Sequence, residues 1–275
     1  MVIFPLVLAA AGFVVTFGSV ILYFRTIPRG KVPEKVGGFA FSLILGMLLA
    51  FIAIAIALRD QIFGEPLIYI LGVLTLFFGG FILWVLSQRK IQMDDLKVRV
   101  GEPLLPFTAL TSEGDAFDSD SLAGKRVLFK FFRGGWCPYC SAELVSFNRL
   151  GEQLKAHGVE VMALSKDTIE NASIHKARDE LDFTLLCDPE LRVIRQYGVE
   201  HRKALGQSEG SKTTKSLVGG IPLGMTPFSF QAMAIPTTLL IDEQGVIQWI
   251  DQTDDYRLRS NEKRVMDAVK SAFEN

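Results

Sequence analysis

Arg126-Val127-Leu128-Phe129-Lys130-Phe131-Phe132-Arg133-Gly134-Gly135-Trp136-Cys137-Pro138-Tyr139-Cys140-Ser141-Ala142-Glu143-Leu144 is the stretch that decides the fold. Its first seven residues are rich in aromatic and β-branched types and read as a strand. A helix pattern follows, with apolar residues at Leu144, Phe147, Leu150 and Leu154. Gly134 and Gly135 allow a tight turn between the two. Cys137 then falls at the mouth of the helix, with Pro138 at its first position, where a missing N–H costs nothing. A thiol there faces unpaired backbone N–H groups and the positive end of the helix dipole, so Cys137 is expected to be the reactive thiolate. Cys140 lies one turn on, close enough for a disulfide. A Cys-x-x-Cys between strand and helix points to redox chemistry. The competing reading, half of a structural zinc site, needs a second Cys-x-x-Cys or a His pair, and the sequence offers neither. No metal and no cofactor is expected.

Working outward, the chain has 275 residues, enough for more than one domain, and a net charge of −1, which argues against nucleic acid as a partner. Its apolar share is 49%, concentrated in the first third. Residues 2–24, 38–58 and 67–87 contain no charged side chain, and each is long enough to cross a hydrocarbon core. A cleaved signal peptide fits the first poorly: it lacks a basic start and two more spans follow. The loop after the first span carries Arg25, Arg29, Lys31 and Lys35, the next loop only Arg59, and Arg89, Lys90, Lys97 and Arg99 follow the third. The positive-inside rule then places the N-terminus outside and the C-terminal domain in the cytoplasm, as in a bacterial inner-membrane protein. Small residues at Ala9 to Gly12, Ala53, Ala55, Ala57, Gly79 and Gly80 suit close helix packing. The spans hold no Cys, His, Asp or Glu, so they offer neither thiol relay nor proton path. They read as an anchor in the lipid bilayer, with docking to another membrane protein as a further use.

A polar connector, Ser87 to Val100 and including Asp94-Asp95, leads to the second domain at about residue 98. Gly101-Glu102-Pro103 through Phe107 reads as an extended lead-in. A turn at Ser112 to Asp115 and a short helical piece at Ser119 to Leu122 precede the core strand. Beyond His157-Gly158, Val159 to Leu164 is a strand, and Asp167 or Thr168 caps a helix to about Leu181. Phe183 to Leu186 is a strand, and Pro189 starts a helix to Tyr197-Gly198. Residues 199–233 break the rhythm, with Pro222 and Pro227 inside an apolar run, and read as an insertion that is partly mobile. Thr237 to Ile241 and Val246 to Ile250 form a hairpin, and Val265, Ala268, Val269 and Phe273 line a last helix. The fold class expected for residues 98–275 is an α/β sandwich with a mixed sheet flanked by helices, preceded by three transmembrane helices.

Residues from about 98 onward resemble the thioredoxin superfamily, and within it the peroxiredoxin-like branch related to alkyl hydroperoxide reductase (AhpC/TSA, redoxin). The residues that carry the resemblance are Gly101-Glu102-Pro103 with Phe107, Gly124-Lys125, and Phe132 through Cys140. Asp188-Pro189 with Tyr197-Gly198-Val199, and Pro236-Thr237-Thr238 running into Ile241-Asp242 with Gly245, complete the set. Residues 1–97 are not covered.

The resemblance implies a site of Cys137 and Cys140, supported by Arg133, Trp136, Pro138, Tyr139, Pro236 and Thr237. Laid on the peroxiredoxin pattern Pro-x-x-x-Thr-x-x-Cys, Cys140 is the peroxide-reacting cysteine, Cys137 stands at the Thr and Arg133 at the Pro. The Arg such enzymes keep just ahead of the late strand is replaced by Pro236. Laid on thioredoxin, Cys137 attacks, Cys140 resolves, and Ile235–Pro236 is a cis peptide facing them; the buried Asp six residues before the first Cys is here Phe131. Cys-Pro-Tyr-Cys is also the glutaredoxin sequence, but the 95 residues between Cys140 and Pro236 are too many for that fold.

The activity implied is a membrane-tethered thiol–disulfide oxidoreductase, with a thiol peroxidase and a non-catalytic docking adaptor as alternatives. The partners implied are an oxidised thiol or a hydroperoxide as substrate, and thioredoxin or glutathione as reductant. With Pro236 in place of the Arg, slow peroxide reduction is expected. Trp136 is expected to shield Cys137, Tyr139 to lie on the helix surface, and Cys187 to pack as a small hydrophobe. His157, His175 and His201 are scattered.

Overall fold

The computed structural model describes residues 2–93, 96–218, 221, 222, 224–226 and 228–274. Asp94, Asp95 and Pro227, which the sequence reading used, lie outside them. The chain divides into two compact units, Met1–Arg89 and Lys90–Asn275.

The first unit is three helices, α1 (Ile3–Phe24), α2 (Gly37–Arg59) and α3 (Pro66–Ser87), each long and apolar enough to cross a membrane. Their buried positions recur every three or four residues: Pro5, Ala9, Gly12, Thr16, Val20 and Tyr23 on α1, and Leu43, Gly46, Ala50, Ala53 and Ala57 on α2. Small residues at this spacing let backbones approach. A Cβ added at Gly12 would stand 2.6 Å from the Gly46 carbonyl oxygen. Ala53, Ala57 and Gly79 sit in the seam as their size implies, while Ala55 points outward, since residues two apart on a helix cannot share a face. Outward positions are apolar too, including Phe41, Phe51 and Phe77.

The second unit opens with Ile91 and Val98 already buried in its core. Its strands are β1 (Thr108–Thr111), β2 (Ala116–Asp118), β3 (Arg126–Phe131), β4 (Val159–Ser165), β5 (Thr184–Cys187), β6 (Glu200–Leu205), β7 (Leu217–Val218), β8 (Ile221–Pro222), β9 (Phe230–Ala234), β10 (Thr237–Ile241) and β11 (Ile247–Gln252). Its helices are α4 (Pro138–Ala156), α5 (Ile169–Arg178), α6 (Arg192–Gln196) and α7 (Glu262–Phe273), with a single 3₁₀ turn at Ser119–Leu122. A seven-stranded sheet runs β11-β10-β3-β4-β5-β1-β2. β3, β4 and β5 are parallel, and the outer pairs are antiparallel. This is the mixed thioredoxin-like sheet flanked by helices.

Side-chain alternation along β3 splits the core in two. Val127, Phe129 and Phe131 join the cluster containing Tyr197, Leu239 and Ile241, while Leu128 and Phe132 join the one under α4 and α7. Lys130 shares the second face and is buried.

Three boundaries differ from the sequence reading. Thr168 caps α5 through its side chain, but the helix stops at Arg178 because Glu180 adopts a left-handed φ of 52° and Leu181 N–H closes onto Lys176. The helix after Pro189 starts only at Arg192, where the Asp188 carboxylate accepts the Arg192 and Ile194 N–H groups. Residues 199–233 contain paired β6 and β9 and a β7–β8 ribbon, so part of the insertion is built structure.

Candidate active site

The turn between β3 and α4 is set by its glycines. Gly134 has φ 144°, and a Cβ there would meet Asp167 at 2.8 Å and the Trp136 ring at 2.7 Å. The Gly135 N–H donates to Asp167 Oδ2 at 2.8 Å. Cys137 is the N-cap of α4 and Pro138 its first residue, as the sequence implies. All three cysteines are free, and Cys137 and Cys140 are 1% and 0% exposed.

The charge does not sit where the helix mouth predicts. The Cys137 side chain caps no backbone N–H. Burial pushes its thiol well up, and its hydrogen bond to Cys140 adds to this. Burial also acts against a thiolate on Cys140, but three donors outweigh it: the Cys137 thiol, Arg259 and the Arg133 backbone N–H. Arg259 Nη2 stands 3.4 Å from Cys140 Sγ. These contacts lower the Cys140 thiol and favour a thiolate there, with the Cys137 thiol as donor, rather than on Cys137 as the helix mouth alone suggests.

Arg259 comes from the irregular stretch between β11 and α7. It places a cation beside Cys140, and its Nε forms an ion pair with Glu143 Oε2 at 2.9 Å. Glu143 in turn accepts from Lys130 Nζ at 2.8 Å. Arg133 is buried; its guanidinium donates to Leu205 O at 2.6 Å and lies 4.1 Å from the Tyr256 ring centre and 5.1 Å from that of Trp136.

Trp136 is buried beside the cysteines in one cluster. Gly206 and Gly224 of the insertion press on it, since a Cβ on Gly224 would fall 2.4 Å from Trp136 Cβ. Trp136 also lines a cavity of about 120 Å³, with Lys166, Asp167, Asn171, Gln207 and Gln231. Tyr139 is half-buried: besides its surface part it packs against both cores, with its ring 6.0 Å from Tyr256. Cys187 is buried, donates weakly to Thr111 O, and burial pushes its thiol up to about 12.

Pro236 is buried, one residue beyond the Thr237–Phe131 pair at the end of β3 from which the cysteine turn departs. The peptide before it is trans, correcting the expected cis bond; no cis peptide occurs among the described residues. Ile235 N–H donates to Val199 O at 2.6 Å, which holds the incoming chain along the extended path that a residue before trans proline prefers. Thr237 Oγ1 is spent on backbone and sheet, donating to Ile235 O and accepting from Gln252.

Sequence reasoning missed Arg259, Glu143, Lys130 and Tyr256. A lysine inside an apolar strand run was a visible signal for Lys130. Glu143, three residues after Cys140, carries no mark of burial in the sequence, and Arg259 and Tyr256 lie in a segment without periodicity.

The AhpC/TSA family model matches residues 100–250, more than half of the chain. The chain belongs to the AhpC/TSA family. A Coxiella burnetii protein that carries the peroxiredoxin name bcp is 32% identical over 152 residues, 55% of this chain and 87% of the relative. Peroxiredoxin Bcp of Escherichia coli K12 is 25% identical over 173 residues, 63% of this chain and 96% of the other. Thiol-disulfide oxidoreductase ResA of Bacillus cereus is 31% identical over 107 residues, 38% and 61% of the two chains. As an AhpC/TSA protein the chain is a thiol-dependent oxidoreductase. Both cysteines fall inside the AhpC/TSA match and Arg259 falls beyond it.

Proposed function

We propose that this AhpC/TSA protein is a membrane-tethered thiol peroxidase in which Cys140 attacks and Cys137 resolves. The observation that carries the reading is the Arg259 guanidinium 3.4 Å from the Cys140 sulfur. A preorganised cation there favours the thiolate and can polarise a peroxide oxygen. The Cys140 thiolate attacks the distal peroxide oxygen and the O–O bond breaks, giving a Cys140 sulfenic acid and an alkoxide or hydroxide that takes a proton from water. Cys137 then loses its proton and attacks the Cys140 sulfur, and hydroxide leaves as water. The resulting disulfide is returned to two thiols by a dithiol or two thiols, as thioredoxin or glutathione supply. Slow peroxide reduction, expected from Pro236, no longer follows once Arg259 fills that role.

A thiol–disulfide oxidoreductase is the second reading, favoured by the placement of both sulfurs in one turn of α4 across Pro138. In that cycle a substrate disulfide replaces the peroxide. An adaptor role gains no support from a buried, charge-tuned thiol pair. Rapid-mixing kinetics with hydrogen peroxide separates the enzymes. The proposal expects Cys140 to oxidise at least about a hundredfold faster than an unassisted thiol of equal pKa. Peroxide reactivity at the unassisted rate, with ready turnover of small disulfides, would overturn it in favour of the second reading.

Three helices of spanning length and the bias of Lys and Arg between the loops support a bilayer anchor with the redox domain in the cytoplasm. A cytoplasmic dithiol is kept reduced by the soluble thiol pools, so no electron path through the spans is needed.

A further inference from the structure

The core beneath the cysteines contains a chain of charges that a hydrophobic face would not need. Lys130 Nζ donates to Glu143 Oε1 at 2.8 Å and to Thr238 Oγ1 at 2.9 Å. Glu143 Oε2 pairs with Arg259 Nε at 2.9 Å, and Arg259 Nη2 reaches Cys140 Sγ at 3.4 Å. The Lys130, Glu143 and Arg259 side chains are only 2%, 1% and 10% exposed. Burying such groups is costly unless their charges are balanced. Burial raises the Glu143 carboxyl, and the two cations within 3 Å of it, Lys130 and Arg259, oppose that rise and favour its ionised form. With Cys140 as a thiolate, the two cations and two anions cancel. In the disulfide Cys140 carries no charge and one buried positive charge is left over, beside that of Arg133.

We infer that Lys130, Glu143 and Arg259 form a buried charge relay that sets the reduction potential of the Cys137/Cys140 pair, with Glu143 as its moderator. The relay destabilises the disulfide relative to the thiolate and thiol, which makes the pair more oxidising, as in other proteins whose reduced form is stabilised. Glu143 limits the effect by cancelling one cation, and it orients Arg259. Lys130 and Glu143 are positioning residues: neither touches the sulfurs. The inference rests on the two-cysteine cycle proposed above. The couple involved is disulfide plus two electrons and one proton giving the Cys140 thiolate and the Cys137 thiol, with a thiol such as glutathione supplying the electrons.

The test is the potential of the full-length protein in detergent, equilibrated against glutathione buffers in a Cys187→Ser background. Glu143→Gln removes the moderator while keeping the shape. Its equilibrium should move at least about tenfold towards the dithiol, about 30 mV more oxidising. Lys130→Met should move it about tenfold the other way. The double variant restores the charge balance and should return to within about threefold of the parent. A purely structural role predicts no such charge order. An unchanged or more reducing potential in Glu143→Gln, or a double variant that keeps the shift, overturns the inference. A reading on the parent protein needs no variant to fold. Near neutral pH one proton per two electrons gives about 30 mV per pH unit, and a slope of about 60 would mean that the relay does not hold a thiolate and overturns the inference. A protein in which Cys137 and Cys140 never pair has no potential to read, and overturns the two-cysteine cycle along with the relay.

Discussion

Replacing Arg259 with Gln removes the one side-chain cation in hydrogen-bond reach of Cys140 among the described residues, at 3.4 Å. Two unit charges at that distance attract by about 5 kcal/mol at an effective dielectric constant of about 20. That corresponds to a ceiling of roughly 3.5 pKa units. Part of it is spent on Glu143, which shares the guanidinium, and the Cys137 thiol and Arg133 N–H remain in Arg259→Gln. The expected rise in the Cys140 pKa is about 2 units. Thiolate ultraviolet absorbance followed across pH reads it directly. The rate with hydrogen peroxide at neutral pH should fall by about 10² to 10³, because the variant loses both thiolate and the polarising cation. The remaining activity should climb with pH through the new pKa. Arg259→Lys keeps the charge without the two-armed geometry and should fall between. A Cys140 pKa within about half a unit of the parent, with a peroxide rate within about threefold, would refute the reasoning that this arginine holds the thiolate.

Diamide treatment followed by peptide mass spectrometry should show Cys137 linked to Cys140 and leave Cys187 unlinked, since burial holds its thiol near 12; a Cys187 link in the wild type contradicts the assignment. Asp179 is buried, which alone would raise its carboxyl, but bonds from Arg178 and His175 overcome this and hold it well below 3.8. Its folded value is thus lower than its unfolded one, so the stability it confers is present at neutral pH and is lost as pH falls through the acid range. Asp179→Asn should destabilise the domain by about 3 kcal/mol at pH 7 and by progressively less towards pH 3, read from denaturant midpoints; a pH-independent difference contradicts this. A reporter active only outside the cytoplasm, fused after about residue 100, should be silent if the positive-inside bias sets the topology.

The fold was legible wherever local pattern and packing agree. Leu144, Phe147, Leu150 and Leu154 mark the buried face of α4, and all are buried. The three helices of spanning length follow from uncharged length alone. Residues 199–233 resisted reading because β6 and β9 pair across an irregular stretch, so neither strand carries a turn signal to its partner. Within the site, Cys137 and Cys140 were plain from spacing, but their roles were not. Helix-mouth electrostatics favours Cys137, and it is opposed by a cation that approaches Cys140 from more than a hundred residues away. Long-range charge placement of this kind leaves no local trace. The trans Ile235–Pro236 peptide is similar, since its path is fixed by the Ile235–Val199 bond.

The full burial of Cys140 has a kinetic consequence. Its sulfur has no exposed surface, so no oxidant meets it until the residues packed around it part. At low oxidant the observed rate then grows in proportion to concentration. At high oxidant it levels off at the frequency of opening, and that plateau is the same for hydrogen peroxide as for a bulky organic hydroperoxide. Burial thus separates how often the site is available from how fast its sulfur reacts, and only the second depends on Arg259.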